Sequence, residues 1–304
     1  MDPLSDVLAL LNPGGYAAAA FDFGGEWCVD FPRQAGVKCY ALVTGQGWVA
    51  VEGVLEPVLA TAGDCVLLPH GRPFRVASDL ALAPIDAQTL YGAPPEGAMT
   101  IWQGGGDASG FASHFELHGP AAELLLETLP PLMHFRKTSQ RATLRWCLER
   151  MMQELVEPEP GGAAVLEQLA RMVLIEALRQ YVAQPSSDGA GWLFALTDKK
   201  MAAAIQALHD DPARNWSVQS LAEHVGMSRT NFTLKFKRAV GRSPMDYLTR
   251  WRMMIAASRL KTSDTPVAVV AYSLGYESES AFSTAFKRVM GCPPRRYGRD
   301  TATA

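Results

Sequence analysis

Short apolar runs separated by turn residues dominate the first 120 positions of the chain. Residues 41–43, 47–51, 58–60 and 65–68 are rich in Val, Leu, Ala and aromatic residues, and Gly, Pro, Asp and Thr stand between the runs. Segments of this length and composition are typical of strands in a sandwich or a barrel. The first part of the chain therefore predicts a small β-barrel.

From residue 121 onward the apolar residues recur at intervals of three and four. That spacing predicts amphipathic helices over residues 121–129, 141–156 and 163–182. The segment 184–191 is rich in Ser and Gly and predicts a linker, and the chain after it is predicted to be helical throughout.

The last hundred residues contain one helical pattern twice. The positions that repeat at an offset of 50 residues are Phe232, Phe236, Lys237, Arg238, Gly241, Pro244 and Tyr247, which recur as Phe282, Phe286, Lys287, Arg288, Gly291, Pro294 and Tyr297. Each copy predicts a supporting helix (218–225 and 267–274), a glycine turn and a second helix (229–239 and 278–290). This is the helix-turn-helix arrangement that places its second helix in the DNA major groove.

The charge distribution supports a division into two functional parts. The net charge is −3, yet residues 197–304 hold 17 Lys and Arg against 9 Asp and Glu, and residues 1–196 hold 11 against 22. A basic region beside the doubled helical unit indicates contact with double-stranded DNA. The acidic part is expected to serve a different partner.

Length and composition indicate the number of domains and the cellular compartment. At 304 residues with 48% hydrophobic content, the chain predicts about two folded domains. The acidic beginning of the chain predicts no secretory signal, and no apolar run predicts a membrane span. Five cysteines without a CxxC pair suit a reducing compartment, so we expect a cytoplasmic protein.

The C-terminal residues resemble the AraC/XylS family of bacterial transcription regulators. The residues that carry the resemblance are Leu221, Ala222, Gly226, Met227, Ser228, Arg252, Ala271, Leu274, Gly275, Tyr276, Ser278 and Ala281, together with the repeated positions above. The resemblance implies a sequence-specific regulator, expected to be an activator, whose partners are promoter DNA and RNA polymerase. It also implies that the two recognition helices enter successive major grooves on one side of the duplex.

The residues predicted to contact DNA lie on the outward side of the two recognition helices. They are Arg229, Thr230, Thr233, Leu234, Lys237, Arg238, Glu279, Ser280, Ser283, Thr284, Lys287 and Arg288. Family members commonly carry Arg at the positions of Leu234 and Thr284, which here are uncharged. We therefore expect phosphate contacts from the two Lys-Arg pairs to provide much of the affinity and a strong salt dependence.

The segment from Gly63 to Phe74 resembles the second motif of a cupin barrel. That motif normally ends in His where this chain has Phe74, and the His-x-His of the first motif is replaced by Lys38-Cys39-Tyr40. The ligands of a transition-metal site are therefore missing. No cofactor and no enzymatic activity are expected, although a metal-dependent cupin enzyme fused to a DNA-binding domain is the alternative.

A barrel of this kind predicts a sensor for a small-molecule effector. The residues expected to line its binding site are Trp27, Lys38, Tyr40, Trp48, His70, Arg72, Phe74 and Trp102. A second alternative is a regulator that senses redox state through Cys28, Cys39 or Cys65, although a buried, inert cysteine is the more frequent state.

The predicted fold is α+β with two domains, a cupin-like β-barrel with trailing helices and an all-α double helix-turn-helix domain. The expected boundaries are 1–120 for the sensor, 121–184 for a helical dimerisation and connector region, 185–196 for a linker and 197–304 for the DNA-binding domain. The helices at 141–156 and 163–182 are expected to form a homodimer interface.

Overall fold

A computed structural model describes residues 2–91, 99–136, 142–183, 191–263 and 265–299. The chain divides into two compact units. The barrel unit comprises the described parts of Pro13–Leu117 and Leu129–Gln184. The helical unit comprises those of Met1–Asn12, His118–Thr128 and Pro185–Ala304.

The barrel unit is built from two sheets. The strands are β1 (Asn12–Phe23), β2 (Cys28–Phe31), β3 (Val37–Thr44), β4 (Gln46–Val51), β5 (Val58–Thr61), β6 (Cys65–Leu68), β7 (Phe74–Ala77), β8 (Ile85–Asp86), β9 (Thr100–Trp102), β10 (Ala108–His118) and β11 (Met133–Phe135). One sheet has the order β11-β6-β3-β10-β1-β9 and the other the order β5-β4-β7-β2-β8. The four short runs found in the sequence correspond to β3, β4, β5 and β6.

The core of the barrel unit lies between the inward faces of these strands. Phe21, Tyr40, Val66 and Val76 are buried there and belong to one hydrophobic cluster. Because side chains alternate across a strand, Cys39 and Ala41 point to the opposite face of β3 from Tyr40. Three helices complete the unit: α2 (Ala87–Tyr91), and the mutually packed α4 (Ala142–Val156) and α5 (Gly162–Ala183).

The helical unit contains the two predicted helix-turn-helix copies. Its helices are α1 (Pro3–Ala9), α3 (Pro120–Leu126), α6 (Trp192–Ala195), α7 (Lys199–Asp210), α8 (Val218–His224), α9 (Arg229–Val240), α10 (Pro244–Thr262), α11 (Val267–Ser273), α12 (Glu279–Met290) and α13 (Pro294–Arg299). The long helix α10 contacts α9 of the first copy and α11, α12 and α13 of the second. It therefore joins both copies into one body.

Local sequence signals set the ends of the two recognition helices, α9 and α12. Ser228 and Ser278 accept hydrogen bonds from the backbone N–H groups of Asn231 and Ala281, as helix N-caps do. At the other end Gly241 and Gly291 both adopt φ of 78°, a left-handed conformation that glycine tolerates without the strain of a Cβ atom.

Two parts of the chain differ from the expected organisation. Residues 185–196 were expected to form a linker, but Trp192–Ala195 form α6, in which the large side chains of Trp192 and Leu193 are fully buried. In addition, α1 lies within the expected sensor (1–120) and α3 lies almost entirely within the expected connector (121–184), yet both pack within the helical unit. Residues 185–190 of the expected linker lie outside the described residues. Within the described chain, no helix has the length and apolar character needed to cross a membrane.

Candidate DNA-binding surface and barrel cavity

The two recognition helices are held by the same pair of buried rings. Phe232 and Phe236 are fully buried with their ring centroids 5.6 Å apart, and Phe282 and Phe286 repeat both the burial and the 5.6 Å separation. A tyrosine contacts the second ring of each pair edge-on, at 5.9 Å for Tyr247 and 5.4 Å for Tyr297. The repeated residues therefore fix the rotation of each helix about its axis.

Burial of those rings leaves the opposite side of α9 in solvent. Arg229, Thr230, Leu234, Lys237 and Arg238 are exposed, and Leu234 retains 66% of its accessible surface. Thr233 is only partly exposed, and its hydroxyl donates to the Arg229 carbonyl oxygen at 2.8 Å. The side of α9 that was predicted to contact DNA is therefore exposed to solvent, and Thr233 lies at the edge of that side.

The outward side of α12 has a different chemical character. Ser280, Thr284, Lys287 and Arg288 are exposed, whereas Glu279 and Ser283 are partly buried. The Thr284 hydroxyl donates to the Ser280 carbonyl oxygen at 3.0 Å, so its proton is used within the helix. Only its acceptor capacity remains for a base. The Glu279 carboxylate accepts a hydrogen bond from Arg295 at 3.2 Å, which places its charge beside a cation.

Ion pairing divides the cations of the helical unit into two groups. Lys235 on α9 is paired with Asp198 at 2.5 Å, and Arg242 is paired with Glu127 at 3.3 Å. Lys237, Arg238, Lys287 and Arg288 form no ion pair with any residue that the structure describes, and all four are exposed. A charge without an intramolecular partner needs no bond broken before it binds a phosphate. These four side chains are thus available for contact with an anion.

Sequence reasoning did not include Asn231, which the structure places on the exposed side of α9. An Asn side chain can donate and accept toward one adenine edge in the major groove. The equivalent residue of the second copy is Ala281, which is also exposed but offers only a methyl group. The signal was available in the repeat itself, because positions 231 and 281 differ between copies whose supporting residues agree.

A buried polar chain supports the first copy. Trp192 Nε1 donates to the Tyr247 hydroxyl at 2.7 Å, that hydroxyl lies 2.8 Å from His209 Nε2, and His209 Nδ1 lies 3.1 Å from the Asp6 carboxylate. The His209 ring also stacks on Trp251 at 3.7 Å. A neutral ring satisfies both neighbours when Nδ1–H donates to Asp6 and Nε2 accepts from Tyr247. Burial accordingly lowers the pKa of His209 from 6.5 to about 4.

The barrel unit contains a cavity of about 580 Å³, which we call the barrel cavity. Three of the sequence-predicted ligand residues, Lys38, Tyr40 and Phe74, contribute to its wall. Phe31 stacks on Phe74 with ring centroids 4.5 Å apart and completes an aromatic wall that the sequence did not reveal. The two rings meet because Phe31 of β2 pairs directly with Phe74 of β7, a register that sequence alone does not specify.

The other predicted ligand residues lie elsewhere in the barrel unit. Trp48 borders a separate groove, and His70 Nε2 lies 2.9 Å from the Leu129 carbonyl oxygen. Arg72 donates to the Glu52 carbonyl oxygen at 3.3 Å. Trp27 and Trp102 belong to the hydrophobic core or pack against it. The cavity therefore brings together one part of the predicted set, joined by Ser113 and His114 of β10.

Metal and cysteine chemistry were the alternatives for this unit. The described residues contain no group of three His, Cys, Asp or Glu side chains placed to hold a metal ion. Phe74, Lys38 and Tyr40 occupy the motif positions where a cupin metal site needs imidazoles, so this donor set does not fit a metal. Cys39 Sγ and Cys65 Sγ lie 3.3 Å apart and are buried, whereas Cys28 lies on β2 in the other sheet.

Comparison with known families assigns each part of the chain. A cupin family model matches residues 2–183, and a helix-turn-helix domain model matches residues 221–300. A relative from Streptomyces lividans described as a putative AraC-like transcription regulator is 38% identical over 298 residues, which cover 98% of each chain. The RCS-specific transcriptional activator RclR of Escherichia coli K12 is 32% identical, covering 98% of this chain and 97% of its own.

Solved structures include one with a nucleic-acid partner. The DNA-binding domain of the global transcriptional factor AdpA, determined in complex with a target DNA, is 28% identical to the matched segment. The match covers 34% of this chain and 93% of that domain, with a TM-score of 0.33.

Proposed function

The chain belongs to the AraC-like family of DNA-binding transcription regulators, and we propose that it activates transcription from promoter DNA in response to a small effector bound in its barrel unit. The matching relatives are regulators, and the chain is likewise a regulator and not an enzyme. The proposal assigns the residues that contact DNA, the unit that binds the effector and the helix through which two chains assemble. We also propose a cytoplasmic location, since the DNA it would bind lies there.

The observation that supports the DNA contacts best is the shared set of unpaired cations on α9 and α12. The proposed contact residues are Arg229, Thr230, Thr233, Leu234, Lys237, Arg238, Glu279, Ser280, Ser283, Thr284, Lys287 and Arg288. Within this set, we assign phosphate contacts to the two Lys-Arg pairs and base contacts to the exposed residues in the first two turns of each helix.

Sequencing of the DNA that the full-length protein retains in cells tests this proposal. The expected result is a set of promoter sites with two half-elements one helical turn apart, about 10–11 base pairs, because each recognition helix occupies one major groove. A variant with Lys237, Arg238, Lys287 and Arg288 all changed to Ala should lose those sites. Retention of the same sites by that variant would refute the assignment.

We assign effector binding to the barrel unit and DNA binding to the helical unit. The domain limits proposed from sequence, 1–120, 121–184, 185–196 and 197–304, are refined by two observations. Trp192–Ala195 fold as α6, and α1 packs against α7. The effector would act by population shift, favouring the arrangement in which two helical units match their half-sites. RNA polymerase is the proposed partner at the promoter.

The proposed homodimer uses the outer face of α5. Val165, Gln168, Met172, Ile175 and Arg179 recur at alternating three- and four-residue intervals, and Val165 and Met172 are 37% and 39% exposed. A stripe at this spacing in which Val165, Met172 and Ile175 are apolar is typical of helix pairing between two chains. On the neighbouring helix α4, Trp146 is 54% exposed.

Sedimentation analysis of the Met172→Glu variant tests this interface. We expect the variant to be monomeric at concentrations where the natural protein is a dimer, because the new carboxylate would have to be buried. Ala163→Glu is the matched control, since it adds the same charge to an exposed position of α5 away from the stripe. Equal dimerisation of Met172→Glu and natural protein would place the interface elsewhere.

Redox sensing is the second candidate function, and the 3.3 Å separation of Cys39 and Cys65 is the observation that favours it. Hypochlorous acid can convert the two thiols to a disulfide, with chloride, a proton and water as the other products. However, the hydrogen bond with the Cys39 sulfur and, second, burial raise the pKa of the Cys65 thiol, which lowers its content of reactive thiolate.

Mass spectrometry of the full-length protein after hypochlorous acid treatment separates the two functions. A Cys39–Cys65 disulfide, together with a promoter response that is lost in Cys39→Ser but retained in Cys28→Ser, would favour redox sensing. Reduced thiols and an unchanged response in Cys39→Ser would leave the effector proposal as the only one of the two.

A further inference from the structure

Among the described residues that line the barrel cavity, Lys38 is the one buried cation. Lys38 is only 9% exposed, and its Nζ lies 4.9 Å from the centre of the Phe74 ring and 5.5 Å from that of Phe31. Both rings offer their electron-rich faces, which partly compensate the charge. Lys38 forms no hydrogen bond or ion pair with any residue in the described part of the chain.

The described wall around Lys38 is made of neutral and basic side chains. None of the described residues that line the cavity is Asp or Glu. Loss of hydration lowers the pKa of Lys38 to about 8. At neutral pH most of the lysine is therefore still charged, within a wall made largely of apolar side chains. An ammonium in this state lacks the anion that normally accompanies a buried charge.

Arg33, another basic residue of the described wall, has an ion-pair partner of its own. Arg33 contributes to the wall, but its guanidinium lies 3.6 Å from the Glu52 carboxylate, and both side chains are well exposed. His114 Nε2 lies 2.5 Å from the Ala35 carbonyl oxygen. One interior positive charge is thus available to a ligand, which fits a single negative charge and does not fit a dianion.

The rest of the wall selects an apolar body. Phe31, Phe74 and Tyr40 present aromatic rings, and Leu68 and Ala112 present aliphatic groups. A volume of about 580 Å³ lies within the usual range for sites that enclose small molecules. Gln34 and Gln88 line the same cavity and are exposed, which gives the ligand a route from solvent.

We propose that the barrel cavity binds an aromatic monocarboxylate, with the carboxylate beside Lys38 Nζ and the ring system against the apolar wall. This inference rests on the proposed effector function and specifies its chemical class. The carboxylate supplies the charge that the protein lacks at Lys38, and an aromatic ring can pack in offset or edge-on contact with the three rings of the wall.

Calorimetric titration of the full-length protein with 2-naphthoate and with 2-naphthamide tests the proposal. The two probes have nearly the same shape and differ in charge. The natural protein is expected to bind naphthoate at least tenfold more tightly. Equal affinity for the two probes, or no binding of naphthoate at millimolar concentration, would overturn the proposal.

Variants assign that preference to one side chain. Lys38→Met should bind the two probes within threefold of each other, and Lys38→Arg should keep the preference for naphthoate. Arg72→Met is the matched control, since it removes a positive charge of the same unit that does not line the cavity. An unchanged preference in Lys38→Met, with thermal unfolding like that of the natural protein, would contradict the role of Lys38.

Promoter binding measured on the same samples distinguishes failure of the proposed ligand class from failure of the proposed regulatory function. If the protein binds promoter DNA but shows no preference for naphthoate, only the ligand class is wrong. If naphthoate binds as expected but no promoter fragment is retained, the regulatory function is wrong and the cavity assignment stands.

Discussion

The two helix-turn-helix copies share a scaffold and differ in what the scaffold presents. Both recognition helices rest on two phenylalanines 5.6 Å apart and end at a glycine with φ of 78°. Their exposed first turns differ, with Arg229, Thr230 and Asn231 in one copy against Glu279, Ser280 and Ala281 in the other. The repeated residues therefore orient the helices, and we propose that the residues that do not repeat determine which bases each copy reads.

The copies also differ beneath the surface. The first is joined to α1 and α6 by the hydrogen-bonded chain of Trp192, Tyr247, His209 and Asp6. The second has a largely hydrophobic cluster, including Met253, Val270 and Leu274, around its two phenylalanines. The first copy should therefore respond to acidic pH through the buried His209.

Truncation of a phenylalanine that the two copies share should cause the largest change, a loss in the free energy of unfolding. Phe236→Ala and Phe286→Ala should each lower the free energy of unfolding by about 3–5 kcal/mol, because each removes a fully buried ring and leaves a cavity. Denaturant unfolding of the full-length variants measures this. Leu234→Ala is the control and should change stability by less than about 0.5 kcal/mol, since the side chain is mostly exposed. A small cost at either Phe would mean that the copies are not equivalent scaffolds.

The buried histidine should produce the next largest effect. In the folded state the pKa of His209 is about 4, and its ordinary value is 6.5, so the unfolded chain binds the proton more readily between these values. The free energy of unfolding should therefore fall as the pH drops from 6.5 to 4, by up to about 3 kcal/mol.

Comparison of the natural protein with His209→Gln measures this contribution, because the amide can also donate one hydrogen bond and accept another. The variant should show a smaller loss of stability across the same pH window. Parallel pH profiles for the two proteins would show that His209 does not remain neutral in the fold.

The smallest expected change is in the free energy by which the protein discriminates between base pairs. Asn231→Ala should lower discrimination at one base pair by about 1–3 kcal/mol and leave binding to other positions unchanged. Ala281→Ser, at the equivalent position of the second copy, should alter discrimination less, because alanine offers no hydrogen bond to lose. Selection of binding sites from a randomised DNA pool measures both. Loss of affinity for all sequences alike would show that Asn231 contacts a phosphate.

The sequence predicted the helical unit in more detail than the barrel unit, for a physical reason. Helical contacts such as Phe232 with Phe236 are local, so their spacing is visible in the chain. The cavity depends on residues from separate strands, and the stacking of Phe31 on Phe74 depends on strand register. Of the predicted ligand residues, Lys38, Tyr40 and Phe74 share the cavity wall, whereas Trp48, His70, Arg72 and Trp102 do not contribute to it.

The helix α6 shows a second limit of sequence reasoning. Gly and Ser before residue 192 indicate a linker, but the short segment that follows is helical because Trp192 and Leu193 are buried in the helical unit. Four residues are too few to show a periodicity. Tertiary packing, which the local pattern does not contain, determined that part of the chain.

The salt dependence of promoter binding tests the central claim most directly, namely that the unpaired Lys-Arg pairs of both copies bind phosphates. We expect the logarithm of the binding constant to fall steeply with the logarithm of salt concentration for the natural protein. Changing Lys237, Arg238, Lys287 and Arg288 together to Ala should reduce that slope by about 3–4, close to one for each lost contact. A slope that is the same in the natural protein and the fourfold variant would contradict the account.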